Sequence, residues 1–185
     1  MTRAFNGVAA IAFAVLLFGS AVEMAVAASI GGSEFEITQI VSADEGIQVD
    51  VADDDAEWSL YRKLNEERIR EGREPLTRSA ELDRLARQKV WDMVHHRYFD
   101  HVSPTLGTIF DMLHSSGIAY KWAGENIARV SSVEVAHEAF MESPDHRANI
   151  LSAGYTEVGV GVVRAGGKLY VCQVFMMPRA AMTSS

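Results

Sequence analysis

Glu157-Val158-Gly159-Val160-Gly161-Val162-Val163-Arg164, then Ala165-Gly166-Gly167, then the run from Leu169 to Met177 closed by Pro178, is the stretch that decides the fold. Its first part alternates Val with Gly or Val, its middle is a turn, and its last part is a second β run, so it reads as a hairpin. Gly159 and Gly161 leave one face of the first strand without side chains, which implies either a closely packed helix or a ligand near the backbone. The clear periods before the hairpin are helical. Trp58, Tyr61, Leu64 and Ile69 recur at helical spacing from about Asp55, and Gly72 and Pro75 end that segment. A second helix is expected from Ser79, its N-cap, to Arg97, with Leu82, Leu85, Ala86, Val90 and Met93 as the apolar stripe. A short one follows over Thr108 to Ser116 and stops at Gly117. Ser131-Ser132-Val133-Glu134 reads as a capping box opening a helix to Glu142, with Val135, Ala136, Ala139 and Phe140 inward. Ser143 and Pro144 then serve as N-cap and first residue of another helix. Helices followed by antiparallel strands indicate an α+β layered domain.

The chain has 185 residues, 48% of them hydrophobic, which suits one domain with a real core. A formal net charge of −8 argues against a nucleic-acid partner. Arg3, the apolar run Val8 to Phe18 and the small residues Ala25-Val26-Ala27 read as an export signal over residues 1–27, cleaved after Ala27. The run is short for a membrane span, so a secreted or periplasmic protein without a permanent span is expected, with a retained N-terminal anchor as the alternative. Residues 28–54 read as an acidic flexible linker: Asp44, Glu45, Asp50, Asp53, Asp54, Asp55 and Glu57 fall in a stretch without Lys or Arg, although Phe35 to Val41 has strand character. The folded domain is placed at 55–179, followed by a disordered tail at 180–185. The lone cysteine, Cys172, forms no internal disulfide and reads as a buried, inert thiol.

Three strings carry residues suited to chemistry. In His101-Val102-Ser103-Pro104, Pro104 steers Ser103 away from the helical region, so His101 lies on a fixed loop. Glu125 sits in the apolar stretch Trp122 to Ala128, where a buried carboxylate needs hydrogen bonds or a cation. His146 occupies the first turn of a short helix, whose positive end disfavours an imidazolium and leaves the neutral, metal-binding form. Two imidazoles and a carboxylate suit a divalent cation such as zinc. The same residues also serve plain roles: a capping histidine, a glutamate that ties loops together, a packed helix-start histidine. Ser103 with a His and Glu would suggest a hydrolase triad, but no nucleophile-elbow glycines flank it. His95, His96, His114 and His137 fall on expected helices with surface or packing roles.

Taken in order, these strings resemble the CAP superfamily (cysteine-rich secretory, antigen 5 and pathogenesis-related-one proteins, also called SCP-like), in its bacterial exported branch. The resemblance runs from about Trp58 to Met177 and includes Leu64-Asn65-Glu66-Glu67-Arg68, Pro75-Leu76, the His101, Gly124–Ala128 and Ser143–Leu151 strings, Tyr155 to Gly161 and Gln173-Val174-Phe175. It implies a three-layer α-β-α sandwich with a small antiparallel sheet and an open cleft lined by two His and up to two Glu. His101, Glu125 and His146 match the cleft and metal set; Glu142 is the nearest second acid, and Ser103 and Asn126 join the cleft. Phe140 stands where a Trp is common. The resemblance implies an exported, monomeric protein whose cleft takes zinc or another divalent cation and an extracellular ligand: a peptide, a lipid or an envelope component. The alternatives are a metal-assisted hydrolase with Glu125 as general base, and a non-catalytic interaction or lipid-binding module. Ile109, Met112, Leu113, Met176 and Met177 would line a lipid groove, and read better as core.

Overall fold

The computed structural model describes residues 13–18, 21–30, 33–41 and 53–179, and falls into two units, 1–48 and 49–185. In the first unit β1 (Phe13–Phe18), β2 (Ala21–Ile30) and β3 (Ser33–Val41) form an antiparallel meander. Its third strand covers the stretch whose sequence has strand character; β2 and β3 also reach into the segment read as a linker. Arg3, residues 42–52 of the acidic run and the tail at 180–185 lie outside the described residues.

The second unit begins with α1 (Asp54–Arg70), capped by the Asp53 carboxylate, which accepts the Ala56 N–H. The two-residue strand β4 (Thr77–Arg78) follows, then α2 (Ala80–His95) and α3 (Ile109–Ser115). Thr108 and Asp111 form a full capping box at the start of α3. β5 (Tyr120–Val130) precedes α4 (Val133–Glu142) and α5 (Pro144–Leu151), and β6 (Glu157–Ala165) and β7 (Lys168–Pro178) make the expected hairpin. The sheet order is β4-β6-β7-β5, with only the β4–β6 pair parallel.

Alternation along β6 and β7 sends side chains into two separate cores. Val158, Val160, Val162, Val171 and Phe175 face a cluster completed by Leu60, Leu64, Phe140 and Ile150 of α1, α4 and α5. Val163, Cys172, Val174 and Met176 face Leu82, Leu85, Ala86, Val90 and Met93 of α2, with Ile109, Met112 and Leu113 of α3. The second unit is therefore an α-β-α sandwich, and the residues considered for a lipid groove are mostly core. Gly159 and Gly161 answer to a helix: a Cβ on either would sit within 3.0 Å of the α2 backbone at Leu82–Asp83 or Ala86–Arg87. Beyond β4 the edge of β6 is covered by acids, because Val160 N–H donates to Asp83 and Val162 N–H to the fully buried Glu57.

Four local expectations need correction. The buried stripe of α1 is Ala56, Leu60 and Leu64; Trp58 is 52% exposed, lying against the Arg78 guanidinium, and Ile69 is 61% exposed. In α4 only Ala136 and Phe140 are buried, while Val135 and Ala139 face outward. The N-cap of α4 is Ser132, which accepts the Val135 N–H, one residue later than the capping-box reading. Finally, β5 is a strand where the sequence showed only an apolar stretch. It is buried from both sides over Gly124–Ala128, so it lacks the alternation that marks a half-exposed strand.

Candidate functional site

β5 is an outer strand of the sheet, and the three strings converge on it from different layers. Residues 125 and 127 of β5 look toward α2, whereas 124, 126 and 128 look toward α4 and α5. Glu125 therefore meets the loop after α2, and Asn126 meets α5.

On the α2 side, His101 Nδ1 lies 2.6 Å from Glu125 Oε2. The Glu125 side chain is only 4% exposed, while that of His101 is 55% exposed, so one partner is buried and the other reaches solvent. With Nδ1–H donated to the carboxylate, the imidazole keeps the Nε2 lone pair for an outside group. The loop that carries His101 is fixed from below. Lys89 of α2, fully buried, donates from Nζ to the His101 carbonyl at 2.8 Å and lies 5.3 Å from the centre of the Tyr98 ring. Asp92, one turn further along α2, accepts the hydroxyls of Ser103, Thr105 and Tyr98, each at 2.5 Å. Burial pushes the Asp92 carboxyl upward, but these hydrogen bonds outweigh it and hold it below the usual carboxylate range. Backbone bonds in both directions between Ser103 and Gly107 close the loop.

On the α5 side a ladder of amides fastens the helix to the strand. Asn126 donates from Nδ2 to the His146 carbonyl at 3.1 Å and to Gln173 Oε1 at 3.2 Å. Asn149 donates to Asn126 Oδ1 at 2.9 Å and to the Glu125 carbonyl at 3.3 Å. Gly124 makes room for this: a Cβ there would meet the Tyr155 hydroxyl and lie 3.1 Å from Asn149 Oδ1. The His146 ring packs edge-on to Phe140, with centroids 5.3 Å apart. Burial, and then the nearby His101, lower the His146 pKa, against a smaller opposing effect of Asp145, so the ring is neutral near pH 7.

The structure thus pairs His101 with Glu125 and places His146 near enough for a protonated His101 to lower its pKa. Two other expected site residues lie elsewhere. Ser103 is buried, donates to Asp92, and accepts the Thr105 and Leu106 N–H groups, so it braces the loop. Glu142, the exposed last residue of α4, lines a separate hollow with Glu71, Arg73 and Arg147. Asn126 is fully buried and acts through the amide ladder. Among the described residues, no three His, Cys, Asp or Glu side chains gather into a metal-holding group. Cys172 is buried with Sγ 3.6 Å from Glu125 Oε1; burial, then the Glu125 charge, raise its pKa well above the ordinary thiol value. Lys89 and Asp92 were not singled out by sequence, because nothing in their local spacing marks them apart from other helix positions, and Asn149 and Gln173 entered only as members of longer strings, with no role of their own.

The model of the cysteine-rich secretory protein (CAP) family matches residues 61–175. YkwD of Bacillus subtilis, an uncharacterised protein, is 48% identical over 111 residues, which are 60% of this chain and 43% of that protein; the chain thus spans less than half of this relative's length. An SCP-domain extracellular protein of Bacillus anthracis has a similar structure, with TM-score 0.62 and 22% identity, over 89% of this chain and 67% of that one. An outer surface protein of Borrelia burgdorferi matches with TM-score 0.64 and 15% identity, over 68% of this chain and 94% of that one. Among the described residues no helix is long and apolar enough to cross a membrane.

Proposed function

The chain belongs to the cysteine-rich secretory protein (CAP) family, and from that premise we propose that it is an exported protein whose cleft beside β5 binds a divalent cation and, through it, an extracellular ligand. The observation that carries this reading is the 2.6 Å contact between His101 Nδ1 and the buried Glu125 carboxylate. Histidines that ligate metals commonly donate their second N–H to a carboxylate, which fixes the tautomer and makes the free nitrogen more basic. His101 has that arrangement, and His146 is neutral, the form a metal needs. The ligands would be these two imidazoles, with Glu125 orienting His101 from behind rather than binding the ion. Such a cation supplies a Lewis-acid contact for an oxygen or nitrogen of the ligand. Two protein ligands leave the remaining positions to water or ligand, which suits reversible binding. The hydrolase alternative is weaker, since Glu125, its general base, is 4% exposed and committed to His101.

Zinc titration by calorimetry tests the reading, run on the full chain beside the His101→Ala/His146→Ala double variant. Binding in the range of roughly micromolar Kd, about −8 kcal/mol, that is absent in the double variant is expected. Absence of binding by the wild-type chain overturns it.

A further inference from the structure

The short helix α5 presents two faces. His146 and Asn149 look to β5, while Pro144, Arg147, Ala148 and Leu151, at the i, i+3, i+4 and i+7 positions, form the opposite stripe. That stripe is one wall of an open hollow of about 620 Å³, bordered by Met141 and Glu142 at the end of α4 and by Glu71 and Arg73 just after α1. The volume falls in the range of roughly 300–1,000 Å³ typical of small-ligand sites.

The charges around this hollow are not all matched. Arg147 and Glu71 pair with each other at 2.8 Å. Arg73 and Glu142 are both exposed to the hollow, and among the described residues neither has an ion-pair partner. A second cation reinforces the Arg73 end. Arg68 is 2% exposed and donates only to the carbonyls of Glu74, Ile150 and Ser152, so no carboxylate neutralises it. Met141, Ala148 and Leu151 add apolar surface to the same lining.

We propose that this hollow binds a short zwitterionic peptide of roughly three residues, a size its volume admits. The free amino end meets Glu142, the free carboxylate meets Arg73, and an apolar side chain covers Met141 and Leu151. A simple carboxylic acid would leave Glu142 unmatched, and a simple amine would leave Arg73 unmatched. A peptide with both ends free satisfies the two together. The hollow shares no lining residue with His101, Glu125 or His146, so its test is separate from the zinc test.

Calorimetric titration of the full chain compares alanyl-leucyl-alanine with its N-acetylated form and its C-terminal amide. The free tripeptide binds, and each cap weakens binding about two- to fivefold, the scale of a partly exposed ion pair. Glu142→Gln, at an exposed position that leaves folding intact, weakens the free peptide by the same factor and adds no loss for the acetylated one. Arg73→Gln does the same for the amide. No heat with the free tripeptide at millimolar concentration overturns the proposal, and so does equal affinity for the free and capped forms.

Discussion

Asp92 accepts three hydroxyls from the loop after α2, and His96 Nδ1 approaches its other side at 2.8 Å. A carboxylate can accept all of these at once because it has two oxygens and no hydrogen to turn away. In Asp92→Asn one oxygen becomes an NH₂ and the charge that draws the three hydroxyls together is lost, so the loop trades charge-assisted hydrogen bonds for weaker, rearranged ones. The expected loss is roughly 2–4 kcal/mol, read from the urea midpoint, with faster hydrogen exchange at residues 102–107. A variant as stable as the wild type would mean that the loop is held by Lys89 and the Ser103–Gly107 backbone bonds alone. That Glu125 needs a partner was legible in the sequence, since a carboxylate in an apolar stretch calls for hydrogen bonds or a cation; that the partner is His101 was not, because the two lie twenty-four residues apart, on a strand and on a loop. The positions of Ser103 and Glu142 were not legible either. A hydroxyl beside Pro104 reads the same whether it faces a cleft or an aspartate eleven residues upstream. Glu142 ends one helix just before another begins, and the direction it points depends on an angle between α4 and α5 that spacing does not encode.

At the scale of elements, α2 packs directly against β6. With no side chains at Gly159 and Gly161, the helix backbone lies against the strand, and Asp83 reaches the Val160 N–H. Alanine at position 161 would place a methyl within 3.0 Å of Ala86 and Arg87 backbone atoms, which are rigid rather than the end of a flexible side chain. Gly161→Ala is therefore expected to destabilise by about 3 kcal/mol, at the upper end of the usual overpacking penalty. A thermal midpoint within a degree of wild type would show that α2 can retreat without loss. The sequence offered this contact as one of two explanations for the glycines, and could not choose, because the partner lies about seventy-five residues earlier. The helices α2 and α3 were readable because each carries one period and one buried face, and the β6–β7 hairpin because Ala165-Gly166-Gly167 marks a turn between two β runs, although both its faces are buried. β5 was not, because two layers bury it and its polar residues, Glu125 and Asn126, point to different layers.

Across the whole second unit, the sandwich sets the pH response through groups held between its layers. The layered architecture was legible from the order of helices and hairpin; which ionisable groups it would enclose was not, since burial depends on how both helical layers close over the sheet. His146 is the clearest case, with its pKa lowered from the ordinary 6.5 by burial and by the His101 charge. Above pH 6.5 both folded and unfolded chains carry it neutral, and it adds no pH dependence. As pH falls through 6.5, the unfolded chain takes up a proton that the folded chain still refuses, so stability falls. The loss stops growing once the pH is below the folded pKa. Asp92 acts at lower pH with the same sign: its folded pKa lies below 3.8, so its contribution is present above that value and is lost as pH drops through the folded pKa. Urea midpoints measured from pH 7.5 to 4.5 should therefore decline for the wild-type chain more steeply than for His146→Gln, which has no proton to take up at that position. Parallel curves would mean that His146 titrates alike in both states, so that neither burial nor His101 acts on it in the folded chain.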